Sequence, residues 1–156
     1  MSLTMFFKRF IAFLIITVSA SAAVNAEELF ITRVHLTFPE AMLKLQEVIR
    51  KQGYTVSRVQ RVDIGLTKSG YKTDKYRVVF FGKADEVNTI SQQYPHLIAY
   101  IPWKIAIFAE DEETLLVTAN PLKLENKAFP KANAYLKKWE KDIDLILAEM
   151  RKPQEN

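Results

Sequence analysis

The order of strand-like and helix-like segments predicts an α+β domain, with a largely antiparallel sheet and the long helices on one face. Three observations predict it. Two short runs, 78–81 and 105–108, are apolar on both parities, as in strands covered on both faces. The acidic stretch 110–113, between two β-rich runs, reads as a hairpin loop. The last segment carries Ala132, Leu136, Trp139, Ile143, Ile146, Leu147 and Met150 at helical spacing. The chain has 156 residues, 49% hydrophobic and 26% charged, with no cysteine. That length suits one ordinary domain and is short for two. Disulfides, thiolate metal ligation and a thiol nucleophile are excluded.

The elements follow in order. At the start, Lys8 and Arg9 precede an uncharged stretch, 10–26, which is most apolar over 10–18 and ends in Val24-Asn25-Ala26. A positive start, an apolar middle and a small-residue end form a secretory signal. Cleavage is expected after Ala26, leaving a periplasmic or secreted domain over 27–151 and a polar tail, 152–156. The competing reading is a retained anchor. Spanning needs about 20 predominantly apolar residues, however, and the stretch turns to Ser, Ala and Asn after Val18. The mature chain has twenty basic and eighteen acidic residues, net +2. At about 130 residues it buries roughly two-thirds of its unfolded surface, enough to fold without disulfides.

Residues 29–38 alternate, with Phe30, Val34, Leu36 and Phe38 on one parity, and predict a strand. Pro39 then opens a helix running to Gln52 and stopped by Gly53, with Met42, Leu45, Val48 and Ile49 on its apolar stripe. Residues 54–62 are rich in Val, Tyr and Thr and predict a strand. A turn at Lys68-Ser69-Gly70 leads to a second, 76–81, ended by Gly82. Residues 84–93 predict a short helix with Val87 and Ile90 inward, closed by Tyr94-Pro95. A strand region, 98–109, is interrupted by Pro102, which has no ladder donor and needs an edge or a bulge. After the acidic hairpin, Leu115, Val117 and Ala119 define the last strand, stopped by Asn120-Pro121. A long helix from Pro130 to about Arg151 completes the chain.

A set of short motifs occurs in a telling order: Gln52-Gly53-Tyr54-Thr55-Val56, Val62-Asp63-Ile64-Gly65-Leu66, Val79-Phe80-Phe81-Gly82, Tyr94-Pro95, Tyr100-Ile101-Pro102-Trp103-Lys104-Ile105 and Asn120-Pro121. In order and spacing the chain, from about 30 to 146, resembles the bacterial and archaeal domain of unknown function family numbered 302. The resemblance implies a compact two-layer fold, a curved mainly antiparallel sheet with helices packed on one face in a TATA-binding-protein-like arrangement, often as a dimer. It implies no activity and no catalytic residues. Many members look cytoplasmic, so the export signal is a departure.

Among candidate catalytic groups, His35 and His96 are the only histidines. His35 lies on the parity opposite Val34 and Leu36, and His96 in the loop after Pro95. Neither has ligand spacing with a carboxylate, so no metal site is expected. Asp63, between Val62 and Ile64 and near Gly65, is the third candidate, although such an Asp most often makes a turn. No Gly-x-Ser-x-Gly elbow and no glycine-rich phosphate loop occur, and no cofactor is implied.

Charge is uneven. Residues 44–83 hold ten basic and three acidic side chains, an asymmetry that attracts a small anionic ligand, an acidic protein partner or anionic lipid. Arg58, Arg61, Lys75 and Arg77 are the candidate ligand-binding cations. Export argues against nucleic acid, and Phe80 and Phe81 lie in a run that reads as buried, not as a stacking platform. Tyr100 and Trp103 flank Pro102 where the strand must deviate, a place for aromatic side chains beside a pocket or a dimer contact. Trp139 reads as packing.

The sequence is thus read as an exported α+β domain that binds a small ligand or protein partner without catalysis. It is expected to form a homodimer, because runs apolar on both parities need cover on both sheet faces and the helices cover one. A small hydrolase-type enzyme using Asp63, His35 or His96 is the alternative, and a peripheral binder of anionic membrane through the basic 50–83 region the third.

Overall fold

The computed structural model describes residues 28–125 and 130–153. The segment read as a secretory signal, and the cleavage expected after Ala26, lie outside them. Five strands, β1 (Leu29–Val34), β2 (Thr55–Arg61), β3 (Tyr76–Gly82), β4 (Trp103–Glu110) and β5 (Glu113–Ala119), form one sheet in the order β1-β5-β4-β3-β2. Every pairing is antiparallel. Strands β2 to β5 are neighbours in sequence order, whereas β1 joins the far edge beside β5. The helices α1 (Phe38–Lys51), α2 (Val62–Lys68), α3 (Ala84–Gln93) and α4 (Pro130–Arg151) lie on one side of the sheet, which does not close into a barrel.

Helix α1 begins where Glu40 accepts hydrogen bonds from the Thr37 N–H (2.9 Å) and hydroxyl (2.5 Å), a carboxylate in the first turn on its favoured side of the dipole. It ends at Gly53, whose φ of +76° suits a residue without a Cβ. Ala41, Leu45, Val48 and Ile49 form its buried stripe. Helix α4 buries the seven residues read from its periodicity. These meet Val79, Phe81, Ile105, Ile107 and Leu116 from the covered face of the sheet in one core. Lys44 of α1 donates to the Met150 and Lys152 carbonyls at the end of α4, a cation at a helix C-terminus.

Three local readings change. Residues 62–68 are helical, with no buried side chain; α2 is held from outside, by the Asp63–Arg77 ion pair. Residues 95–100, read in part as strand, form a 3-10 helix. Pro102 therefore precedes β4 instead of interrupting it, and follows a cis Ile101–Pro102 bond. The acidic hairpin is tight, with Asp111 at φ +44° in its tip.

The sheet's other side is not covered by any described element. Strand β1 presents Leu29 and Ile31 there, β5 presents Leu115, Val117 and Ala119, β4 Ala106 and Phe108, and β3 Val78 and Phe80. The covered positions of β1 and β5 include Thr32, Thr114 and Thr118, all buried. Two of these hydroxyls are hydrogen-bonded: Thr114 donates to the Leu36 carbonyl and Thr118 to that of Lys104, each at 2.8 Å.

Candidate functional site

The β4–β5 ladder runs from Glu110↔Glu113 to Ala106↔Val117 and stops. Both strands continue. Strand β4 stays with β3 as far as Trp103↔Phe81, and β5 with β1 as far as Ala119↔Leu29. The sheet therefore forks at this end. The Asn120 N–H donates to the Glu28 carbonyl (2.9 Å), so by antiparallel alternation the backbone groups of Ala119 point the other way, into the fork. A side-chain bond from Thr118 to the Lys104 carbonyl spans it.

A cavity of about 560 Å³ occupies the fork, within the usual range for small-molecule sites. Phe80, Ile101, Pro102 and Leu124 supply apolar wall, and Tyr100 and Trp103 line it as well. Among the described residues, Lys104, Lys123 and Glu28 are its charged lining. Neither lysine pairs with a described carboxylate. The turn of Pro121–Leu124, which brings in Lys123 and Leu124, is fixed by the Leu122 N–H donating to Asn120 Oδ1 (2.9 Å). Trp103 is buried, and its Nε1–H has no hydrogen-bond partner among the described residues.

Behind Trp103 lies a polar network on the helical side. Trp103 meets Trp139 edge-on at 5.3 Å. Trp139 Nε1 donates to Glu86 Oε2 (2.7 Å), and Lys138 Nζ donates to Glu86 Oε1 (2.7 Å) and Asp142 Oδ2 (2.9 Å). The Tyr54 hydroxyl donates to the same Asp142 oxygen (2.5 Å), and Lys83 Nζ stands 4.2 Å from the centre of the Tyr54 ring. Burial, then the bond to Asp142, raises the Tyr54 phenol well above its ordinary range. Burial works against ionisation of Asp142, but the hydrogen bonds from Tyr54 and Lys138 and the nearby Lys138 and Lys83 charges hold its carboxyl below the usual value. The sequence reading missed this network. Its one legible signal was Lys138 and Asp142 four residues apart on α4, a spacing that usually marks only a surface pair.

The candidate catalytic groups are dispersed. Asp63 pairs with Arg77, both side chains 14% exposed, and Arg77 also lies 5.8 Å from the centre of the Phe38 ring. His35 is 92% exposed, with Nδ1 2.7 Å from Glu113. It follows edge strand β1, three strand positions from Arg77 on β3, or about 14 Å at ordinary strand spacing. His96 lies in the 3-10 segment near the fork end, edge-on to Tyr94 at 6.5 Å. Among the described residues no three His, Asp or Glu side chains are grouped as metal ligands.

The candidate binding residues divide. Tyr100, 52% exposed, and Trp103 come together in the fork cavity. Arg58 is on the open face, opposite Phe80. Arg61 and Arg77 are cross-strand partners at the other end of the sheet, on its covered side. Lys75 precedes β3, its carbonyl accepting from the Ala109 N–H. No helix among the described residues is long and apolar enough to cross a membrane.

An open five-stranded antiparallel sheet with helices on one side defines an α+β, two-layer class of domain. The family model described as Domain of unknown function DUF302 matches residues 30–150, and the chain belongs to that family. The crystal structure of an uncharacterized conserved DUF302 protein from Bacillus stearothermophilus has the same fold: TM-score 0.73 at 17% identity, over 81% of this chain and 100% of that one. No curated protein matches.

Proposed function

We propose that this is an exported, non-enzymatic binding module that pairs with a second copy through the open face of its sheet and takes a small ligand in the fork. The open face carries the reading. A sheet with one solvated side ordinarily alternates apolar-in and polar-out. At β1 and β5 five of the six outward positions are apolar, Arg33 being the exception, with Leu29 46% and Ile31 56% exposed, while threonines take three of the six inward positions. A contiguous patch of this kind marks an interaction surface. The two rim lysines, which pair with no described carboxylate, favour an anionic ligand or an acidic partner. Export is read from the first 26 residues, and the dispersal of Asp63, His35 and His96 favours binding over the hydrolase alternative, which needs them in one pocket.

Native mass spectrometry of the mature protein, purified gently from the periplasm, tests both parts. The expected result is a dimer carrying a reproducible small extra mass. Ile31→Lys, on an exposed position, is expected to give a folded monomer. A wild-type monomer at every concentration would refute self-association, and a dimer with no retained mass would remove the ligand.

A further inference from the structure

The open face is ordered by charge as well as apolar. The register places its side chains in rows that cross the strands. At the fork, Lys104 of β4 lies between Ala119 and Phe80, with Arg58 beyond and Lys123 on the cavity wall; Glu28 is the one acid among the described residues lining that cavity. The next row, Ile31, Val117, Ala106 and Val78, is apolar as far as Gln60 on β2. The third holds Leu115, Phe108 and Tyr76, ending at Arg33 on β1. The last is Glu113 and Glu110, extended by Asp111 and Glu112 in the hairpin and by Asp74 beside it. Arg33 and His35 pair with Glu110 and Glu113, and Lys75 adjoins Asp74, leaving this end net acidic.

We infer that the occupant of this face is a second copy turned about a two-fold axis parallel to the rows, so that each acidic hairpin covers the cationic fork of the other. The inference rests on the self-association reading and adds its orientation. A two-fold interface sets one patch against itself. With the axis along the strands, hairpin would face hairpin and fork would face fork, superposing like charges, which costs affinity. With the axis along the rows, β4 lies over β4 in the opposite direction. Lys104 meets Glu110 of the second copy, Ala106 meets Phe108, and Val117 meets Leu115. Small side chains then oppose large ones, as close packing of two sheets about 10 Å apart requires. The second copy's Asp111 and Glu112 reach past this row to the lip beside Lys123. Each fork cavity is thereby closed by its partner's hairpin, and the site is incomplete in a single chain.

A charge swap tests the orientation. Two variants of the mature chain are compared, Lys104→Glu/Lys123→Glu and Glu110→Lys/Glu112→Lys, by sedimentation and native mass spectrometry. Each alone is expected to dimerise at least about tenfold more weakly than wild type. An equimolar mixture is expected to recover a heterodimer, because both contacts are then complementary again. Two variants that dimerise like wild type, or a mixture of folded variants that stays monomeric, would overturn the orientation. Should either variant fail to fold, the wild type decides: its dimer is expected to weaken as sodium chloride is raised, and a salt-independent dimer would overturn the charge matching. A wild-type dimer insensitive to swap and salt removes this inference alone. A wild-type monomer removes the reading beneath it too.

Discussion

Tyr54 and Asp142 share one hydrogen bond, and their titrations pull in opposite directions from it. The Asp142 carboxyl is held low in the folded protein, so its contribution to stability is complete above the ordinary aspartate range, about 3.9, and is lost as pH falls through its folded value. The Tyr54 phenol is held high. Its contribution is complete below about 10 and declines as pH rises past that value, where the unfolded chain gives up the proton first. Lys138 adds to the alkaline loss. Burial alone lowers its affinity for the proton, but Glu86 and Asp142 outweigh that and raise it above its ordinary value. Urea unfolding across pH is expected to show a shallower acid limb in Asp142→Asn and a shallower alkaline limb in Tyr54→Phe. At neutral pH Tyr54→Phe is expected to cost about 1–2 kcal/mol, a hydrogen bond to a charged acceptor lost while Asp142 keeps Lys138.

Helix ends and short helices separate what periodicity reveals from what it conceals. Gly53→Ala is expected to destabilise by about 1 kcal/mol in thermal unfolding, since an added Cβ would meet only Lys83 at 3.7 Å and the cost is that of the left-handed backbone. That glycine, like the stripes of α1 and α4, was legible because each signal is local. Helix α2 was not. Val62, Ile64, Gly65 and Thr67 are poor helix formers, and the segment is held by Asp63 reaching Arg77 fourteen residues away. Asp63→Asn is expected to raise amide exchange over 62–68 while leaving the β3–β4 ladder protected. The site was legible only in part for the same reason. Tyr100 and Trp103 stand beside a proline that breaks the strand pattern, whereas Tyr54, Glu86 and Asp142 come from three separate segments and meet only in the folded chain. In β1 and β5 the outward side is as apolar as the inward one, so alternation could not say which face the helices cover.

At the scale of the whole molecule, the two sides of the sheet predict opposite mutational behaviour. Leu45→Ala, on the covered side and wholly buried, is expected to cost 2–5 kcal/mol, the usual range for a core leucine. Ile31→Lys, on the open side, is expected to change the stability of the single chain by less than about 0.5 kcal/mol while abolishing the dimer. Chemical denaturation at protein concentrations below and above the dimer's dissociation constant separates the two effects. The fork adds a mechanical property. Beyond Ala106 and Val117 the sheet is two ribbons, β1 with β5 and β4 with β3 and β2, joined by five cross-strand pairs that lead to the hairpin. This is the construction of a clothes peg, with the hairpin as its spring and the cavity between its jaws. The Ala119 amide, facing the gap, should exchange with solvent faster than the Val117 amide in the spring. A bulkier guest would spread the jaws and bend the spring, passing its size to the acidic tip at the far end of the sheet.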